Sequence, residues 1–415
     1  EKADVDSSDS TTSSAAASVG KNQKKKLDSL FKVVKKVDEK QKEASTAVVV
    51  APSDKLDSSQ QEEFNNLLSA IGIMETVAEV EAAVTEYSKT FPEQQDKIKE
   101  FGNSRKRDIN VFGNLGDVVV LTETATDVKK EAEDAARKAG KNEAEIKAAG
   151  EVGGEAGFEA VLENADKADK LVKVVDAAKG AGADDSLAAV LKSADKAVQM
   201  EKVVADENAK KQKVEDDARA AGKSEVEIAA EIKIAEDASA KKAKALFNVV
   251  KQVDTVRDAQ KLAETPVDPG GETPVATAPA VNVDDVFNNF STVVDLADKA
   301  GEIAVDGGDS DLLKNVLENA DQANELKAMV EKSEKVALES KAAAVAALGE
   351  GATEAQKAAA EESVAAPALT TLFVNAAQAS DLKLMVEKSE DVAKKAKAAA
   401  VAALGEGATE AQKAA

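Results

Sequence analysis

The chain has 415 residues, a net charge of −23 and only 3% aromatic residues, and it contains neither cysteine nor histidine. This composition excludes disulfides, thiolate chemistry and cysteine-based metal sites, and it removes the commonest general base. The excess of acidic residues disfavours binding to nucleic acids and anionic membranes. Because alanine supplies much of the 43% hydrophobic content, we expect thin cores between closely approaching helices.

The first residues differ in charge from the rest of the chain. Residues 1–26 are rich in Ser, Thr and Lys and lack periodicity, which predicts a flexible N-terminal segment. Residues 21–42 are basic, with Lys24, Lys25 and Lys26 in a row. Two interpretations stay open for this basic stretch: a solvated start of a helix, or an end that docks on the acidic body of a neighbouring copy.

From residue 27 onward, apolar residues return at spacings of three and four, which is typical of one face of an α-helix. Similar sequence segments recur at 160–175, 189–204 and 315–330, and more degenerate versions begin near Leu30, Phe112 and Phe287. The apolar stripe is predicted to form the core and the assembly contacts, and its representative members are Leu187, Val190, Leu191, Leu313, Val316, Leu317 and Leu326.

Two stretches do not fit the helical pattern. Residues 47–52 and 117–123 are rich in β-branched side chains, and each is a candidate for a short strand. The alternative for both is a helix end or an extended connector. A strand at 47–52 would also suit donation to a neighbouring chain.

The turns between helices share one pattern, in which a glycine is followed by a capping residue and then by Glu or Gln three positions later. The glycine suits a left-handed helix end, and the other two residues form a capping box. The predicted turn and cap residues are Gly140, Asn142, Gly222, Ser224, Thr353 and Thr409.

A segment with four prolines, at 264–282, is predicted to be a linker between a first helical block at 27–263 and a second at 283–415. Within the second block, residues 329–359 recur at 385–415 with all but four of their thirty-one residues identical. The second copy stops where the first continues, so we expect the chain to end in mid-repeat. The predicted fold is all-α: tandem degenerate helical hairpins forming an elongated solenoid or a bundle-like rod.

One loop carries candidate ligands for a metal. Asp306, Asp309 and Asp311 lie in a glycine-rich stretch and supply the hard oxygens that Ca²⁺ prefers. The spacing differs from that of an EF-hand and lacks its final glutamate, so a turn followed by a helix N-cap is the competing interpretation. No other cofactor is expected.

These features favour a non-enzymatic structural protein that assembles with copies of itself into an extracellular or cell-surface filament, tube, sheath or layer. A cytoplasmic location is the alternative. The composition also resembles that of late-embryogenesis-abundant proteins, as in AEDAARKAG at 132–140, which implies a desiccation-protective role. A third hypothesis is an amphipathic protein that coats lipid or polymer surfaces. No stretch approaches the roughly 20 apolar residues of a membrane span.

Overall fold

The computed structural model describes residues 9–49, 56–264, 281–303 and 309–347, and this part of the chain is helical without any strand. The all-α class predicted from the sequence is therefore confirmed. The contacts divide the chain into two compact units, one ending at Glu201 and the other beginning at Lys202. Of the predicted linker, residues 265–280 lie outside the described residues, so the division into blocks at 264–282 stays a prediction.

The first unit contains nine of the described helices and the start of a tenth, α10, in which the division falls. They are α1 (Asp9–Val49), α2 (Ser58–Ile73), α3 (Val77–Thr90), α4 (Gln95–Gly113), α5 (Leu115–Lys138), α6 (Glu143–Gly150), α7 (Ala156–Glu163), α8 (Ala168–Gly180), α9 (Leu187–Lys192) and α10 (Ala197–Ala220). Since α1 begins at Asp9, the part of the predicted flexible segment from residue 9 to residue 26 is helical.

The second unit continues with α11 (Glu225–Glu264), α12 (Val283–Asn288), α13 (Phe290–Ile303), α14 (Asp309–Glu318) and α15 (Ala323–Ala347). In this unit α11 packs against α13, which in turn packs against α14 and α15. In the first unit α5 is the central helix, and α1, α6, α7 and α8 pack around it. The first unit also contains a second core, in which α2, α3 and α4 pack together around Phe64, Leu68 and Ile98.

The strand predicted at 117–123 is wrong, because these residues lie inside α5. Val118, Leu121 and Ala125 are buried at helical spacing, so burial along one face decides against the β propensity of the single residues. The Thr122 hydroxyl donates to the Val118 carbonyl oxygen at 2.7 Å, which satisfies it inside the helix. At 47–52, residues 47–49 end α1, so the predicted strand is wrong there too, and residues 50–52 lie outside the described part.

The recurring apolar segments form helices that are interrupted near the middle, whereas the spacing of their apolar residues alone predicts uninterrupted helices. At Asn164 the backbone leaves helical geometry (φ −115°, ψ 33°), and a 3₁₀ turn separates α7 from α8. The Asn164 side-chain amide donates to the Ala160 carbonyl oxygen at 3.0 Å, beside the backbone N–H of the same residue. The same side-chain bond to the carbonyl four residues earlier recurs at Asn114, Asn289 and Asn319.

The glycine-rich stretch at 150–157 brings two helical segments close together. It includes a π-helical segment, Glu151–Glu155, that packs against α5. A Cβ added to Gly154 would lie 2.4 Å from the Ala125 carbonyl oxygen, and one on Gly157 would lie 2.8 Å from the Leu191 Cβ. These glycines therefore permit a backbone approach that any larger residue would block.

Candidate functional site

The predicted stripe residues belong mainly to the cores. Leu187, Val190 and Leu191 are buried in the first unit. In the second unit Val316, Leu317 and Leu326 are buried, whereas Leu313 is half-buried and the neighbouring Leu312 is the buried leucine. Side chains this deeply buried hold the helices of one chain together, and their predicted role in assembly stays a prediction.

The predicted turns have the expected local geometry where the structure describes them. Gly140 and Gly222 have φ values of 72° and 69°, in the left-handed region. Asn142 and Glu145 exchange hydrogen bonds between side chain and backbone, and Ser224 and Glu227 do the same. Thr353 and Thr409 lie outside the described residues.

Gly182 adds a third left-handed turn (φ 66°) before the 3₁₀ turn that leads into α9. The sequence of this turn lacks the capping-box pattern, and its glycine is the one local signal of a left-handed helix end.

The candidate calcium ligands are only partly described. Asp306 lies outside the described residues, and Asp309 and Asp311 lie in the first turn of α14. Within the described ranges, no group of three or more Asp or Glu side chains is arranged to hold a metal ion.

The basic stretch docks on the acidic body of its own chain. Lys25 lies 2.7 Å from Asp127 on α5, and Lys36 lies 2.8 Å from Glu159 on α7. The hydrogen bond between Lys36 and Glu159 raises the pKa of the lysine and lowers the pKa of the carboxyl group. These contacts lie inside one unit, so Lys25 and Lys36 are paired within their own chain, and docking of the basic stretch on a neighbouring copy stays a prediction.

Lys32 extends the same contact over an aromatic ring. Its ammonium nitrogen lies 4.6 Å from the centroid of the Phe158 ring, which is a cation–π distance. Burial lowers the pKa of Lys32, while the nearby Glu155 opposes this shift. One side of α1 is therefore held by apolar, ionic and aromatic contacts, with Val33 and Val37 buried beneath it.

The opposite side of α1 presents apolar side chains to solvent. Leu27, Phe31 and Val34 follow one another at helical spacing and are 50%, 64% and 42% exposed. Single exposed apolar residues are common on protein surfaces, but a row of three on one helix is a contiguous patch. We call Leu27, Phe31 and Val34 the α1 patch.

A second cluster, in the other unit, consists of charged groups. Lys242 on α11 makes ion pairs with Glu207, at 3.1 Å, and with Asp295 on α13, while Lys327 lies 2.5 Å from the same Asp295. Lys242, Asp295 and Lys327 border a cavity of about 280 Å³ that Asp298 also lines.

Burial opposes the charged form of Lys242, but hydrogen bonds and charges from Asp295 and Glu207 outweigh it and raise its pKa. A lysine held protonated in this way has no free electron pair to act as a nucleophile or a general base. The cluster is therefore best described as an ion-pair network that joins α10, α11, α13 and α15.

Among the described helices, none has an apolar stretch long enough to cross a bilayer. Comparison with known proteins found no matching family model, no matching curated protein and no matching solved structure.

Proposed function

We propose that this chain is a non-enzymatic structural protein that assembles with copies of itself into a filament, tube, sheath or surface layer outside the cell. The proposal rests first on the duplicated sequence, in which 385–415 repeats 329–359 with four differences. Proteins built from copies of one sequence repeat usually act through their surfaces. Contacts between neighbouring repeats of one chain extend readily to contacts between chains.

The α1 patch is the single structural observation that carries the proposal. Water-exposed rows of large apolar side chains favour association, whereas isolated ones do not. The titratable clusters described above are paired with opposite charges, which suits a structural role for them.

The buried side chains favour a folded structural protein over a protective chain that stays unfolded in water. Phe158, Phe247 and Leu171 are each at most 2% exposed, and such burial stabilises a defined fold. The net charge of −23 counts against the surface-coating hypothesis for anionic surfaces.

Electron microscopy and sedimentation of the purified full chain test the proposal. We expect regular assemblies whose amount rises with protein concentration, together with a strongly helical circular dichroism spectrum in dilute buffer. A chain that sediments as a monomer at every concentration and forms no assemblies would contradict the proposal. A disordered spectrum would instead favour the protective role.

A further inference from the structure

The two units carry matching segments in the same order. LFKVVKKVD at 30–38 on α1 corresponds to LFNVVKQVD at 246–254 on α11. VLENAD is identical at 161–166 and 316–321, and in both copies a 3₁₀ turn follows at the asparagine.

Between these segments, 111–121 corresponds to 286–296, each with an asparagine at its fourth position where the helix breaks. In both units the middle segment packs against the first and the third.

Matching positions nevertheless differ in exposure. Phe31 is 64% exposed, whereas its counterpart Phe247 is fully buried. Val34 is 42% exposed, and its counterpart Val250 is fully buried. On the other face of the same helices, Val33 and Val249 are both fully buried. The difference is largest at Phe31 and Val34, and Leu30 beside them is half-buried where its counterpart Leu246 is 1% exposed, so the difference lies on one side of the helix.

A second aromatic pair shows the same difference. Phe112 on α4 is 51% exposed, whereas its counterpart Phe287 is 2% exposed. Phe287 stacks on Phe290 with ring centroids 5.0 Å apart, and Arg257 lies 5.6 Å from its ring. The first unit thus leaves open two phenylalanine positions that the second unit covers.

We propose that the α1 patch is a contact surface for a second copy of this chain, an inference that rests on the proposed function. In the matching segment of α11, the counterparts of Phe31 and Val34 are completely buried, so this apolar sequence can be buried within this protein. Exposing it on α1 costs free energy that association with a second copy would recover.

Charge complementarity favours a second copy as the occupant. Residues 21–42 contain nine lysines and three acidic residues, in a chain whose net charge is −23. The same helix already holds acidic side chains of its own chain, through Lys25 to Asp127 and Lys36 to Glu159. A basic helix on an acidic protein is attracted to the body of another copy.

The same charge argument disfavours contact of one α1 with another α1, since two basic helices repel each other. The patch is therefore expected to meet a different, acidic surface of the next copy. Such a heterologous contact does not close on itself in the way a two-fold contact does, so it propagates into open assemblies.

Sedimentation velocity of the full chain over a concentration series tests this surface, with Phe31→Asp combined with Val34→Asp as the variant. We expect the apparent association constant to fall at least about tenfold, because charges would be placed in an apolar contact. The matched control is Ile73→Asp, which changes an 80% exposed apolar side chain on α2 and is expected to leave association unchanged.

The outcomes separate this inference from the proposed function. If the natural chain associates and the double variant associates equally well, the α1 patch is excluded while the proposed function stands. If the natural chain never associates, both fail. Melting of the double variant, followed by circular dichroism, should match that of the natural chain because both side chains are exposed.

A second measurement does not depend on a disruptive variant. The chain has no cysteine, so Phe31→Cys provides a single site for an environment-sensitive dye. We expect the dye emission to shift to the blue on assembly, whereas a dye on Ile73→Cys should not respond. An unchanged emission at Phe31→Cys during assembly would overturn the inference.

The same Phe31→Cys chain, left unlabelled and oxidised after assembly, tests the direction of the contact. Paired α1 helices would bring two cysteines within the roughly 4.4–6.8 Å between Cα atoms that a disulfide needs. We expect no efficient disulfide dimer. Efficient formation of that dimer would show a two-fold contact and overturn the heterologous arrangement.

Discussion

Asp295 and Asp298 lie three residues apart on α13, yet their surroundings change their pKa values in opposite directions. Burial raises the pKa of Asp295, but hydrogen bonds from Lys242 and Lys327 outweigh it, and the net change is a lowered pKa. Burial also raises the pKa of Asp298, and Glu302 adds to the increase. One carboxylate is therefore stabilised in its ionised form and the other is not.

Asparagine substitutions at these two positions should have opposite effects. We expect Asp295→Asn to lower the free energy of unfolding at pH 7 by about 2 kcal/mol, because it leaves two lysines with one counter-ion fewer. Asp298→Asn should leave stability unchanged or raise it slightly. Urea unfolding of both variants and the natural chain measures the difference.

The pH dependence provides a control for the same pair. A lowered folded pKa means that the contribution of Asp295 is present above the unfolded value of about 3.9 and is lost as the pH falls through the folded pKa. For Asp298 the cost of ionisation disappears as the pH falls through its raised pKa toward the same unfolded value. As the pH falls from 7 toward about 4, the effect of Asp298→Asn should therefore decrease before that of Asp295→Asn does.

At the scale of helices, close backbone approach decides how α7 packs. A Cβ on Gly157 would lie 2.8 Å from the Cβ of Leu191, an atom that cannot move without moving α9. The contact between α7 and α9 thus depends on the absence of one side chain.

Gly157→Ala should destabilise the protein by about 1–3 kcal/mol through overpacking, although alanine is the better helix former. The control is Gly116→Ala on α5, where an added Cβ meets no atom within 4 Å. That change should stabilise the protein by up to about 1 kcal/mol. Equal effects of the two substitutions in urea unfolding would show that helix propensity, and not packing, controls the position.

Local signals predicted many of the elements but missed the breaks inside them. The capping boxes at Asn142 and Ser224 depend on residues within one turn, so the sequence alone is enough to find them. The break at Asn164 depends on a side-chain bond that competes with the helix, and the apolar spacing on either side conceals it. The β-branched residues at 117–123 led to a wrong strand prediction, because burial along one face of α5 outweighed their local β propensity.

At the scale of the whole molecule, the buried side chains of the apolar stripes hold each unit together. Leu317 is 2% exposed, and its counterpart in the first unit, Leu162, is 4% exposed. Replacing either leucine should cost stability, because its apolar contacts are lost and the site is closed to water.

Leu317→Asp should therefore destabilise the second unit by about 4 kcal/mol or more, since it buries a charge without a partner. Leu338→Asp is the matched control, because Leu338 is 70% exposed and its replacement should change stability by less than about 0.5 kcal/mol. Thermal melting followed by circular dichroism distinguishes the two. Unchanged melting of Leu317→Asp would contradict its role in the core.

The sequence by itself determined the helical class, the capped turns and the presence of repeated apolar words, because each depends on residues a few positions apart. Only the tertiary structure decided in which copy of a repeated segment the apolar side chains are buried. Phe31 and Phe247 occupy the same place in nearly the same nine residues, yet one is exposed and the other fully buried. Burial depends on segments that are distant in sequence and pack on the helix from outside, so no reading of those nine residues alone reveals it.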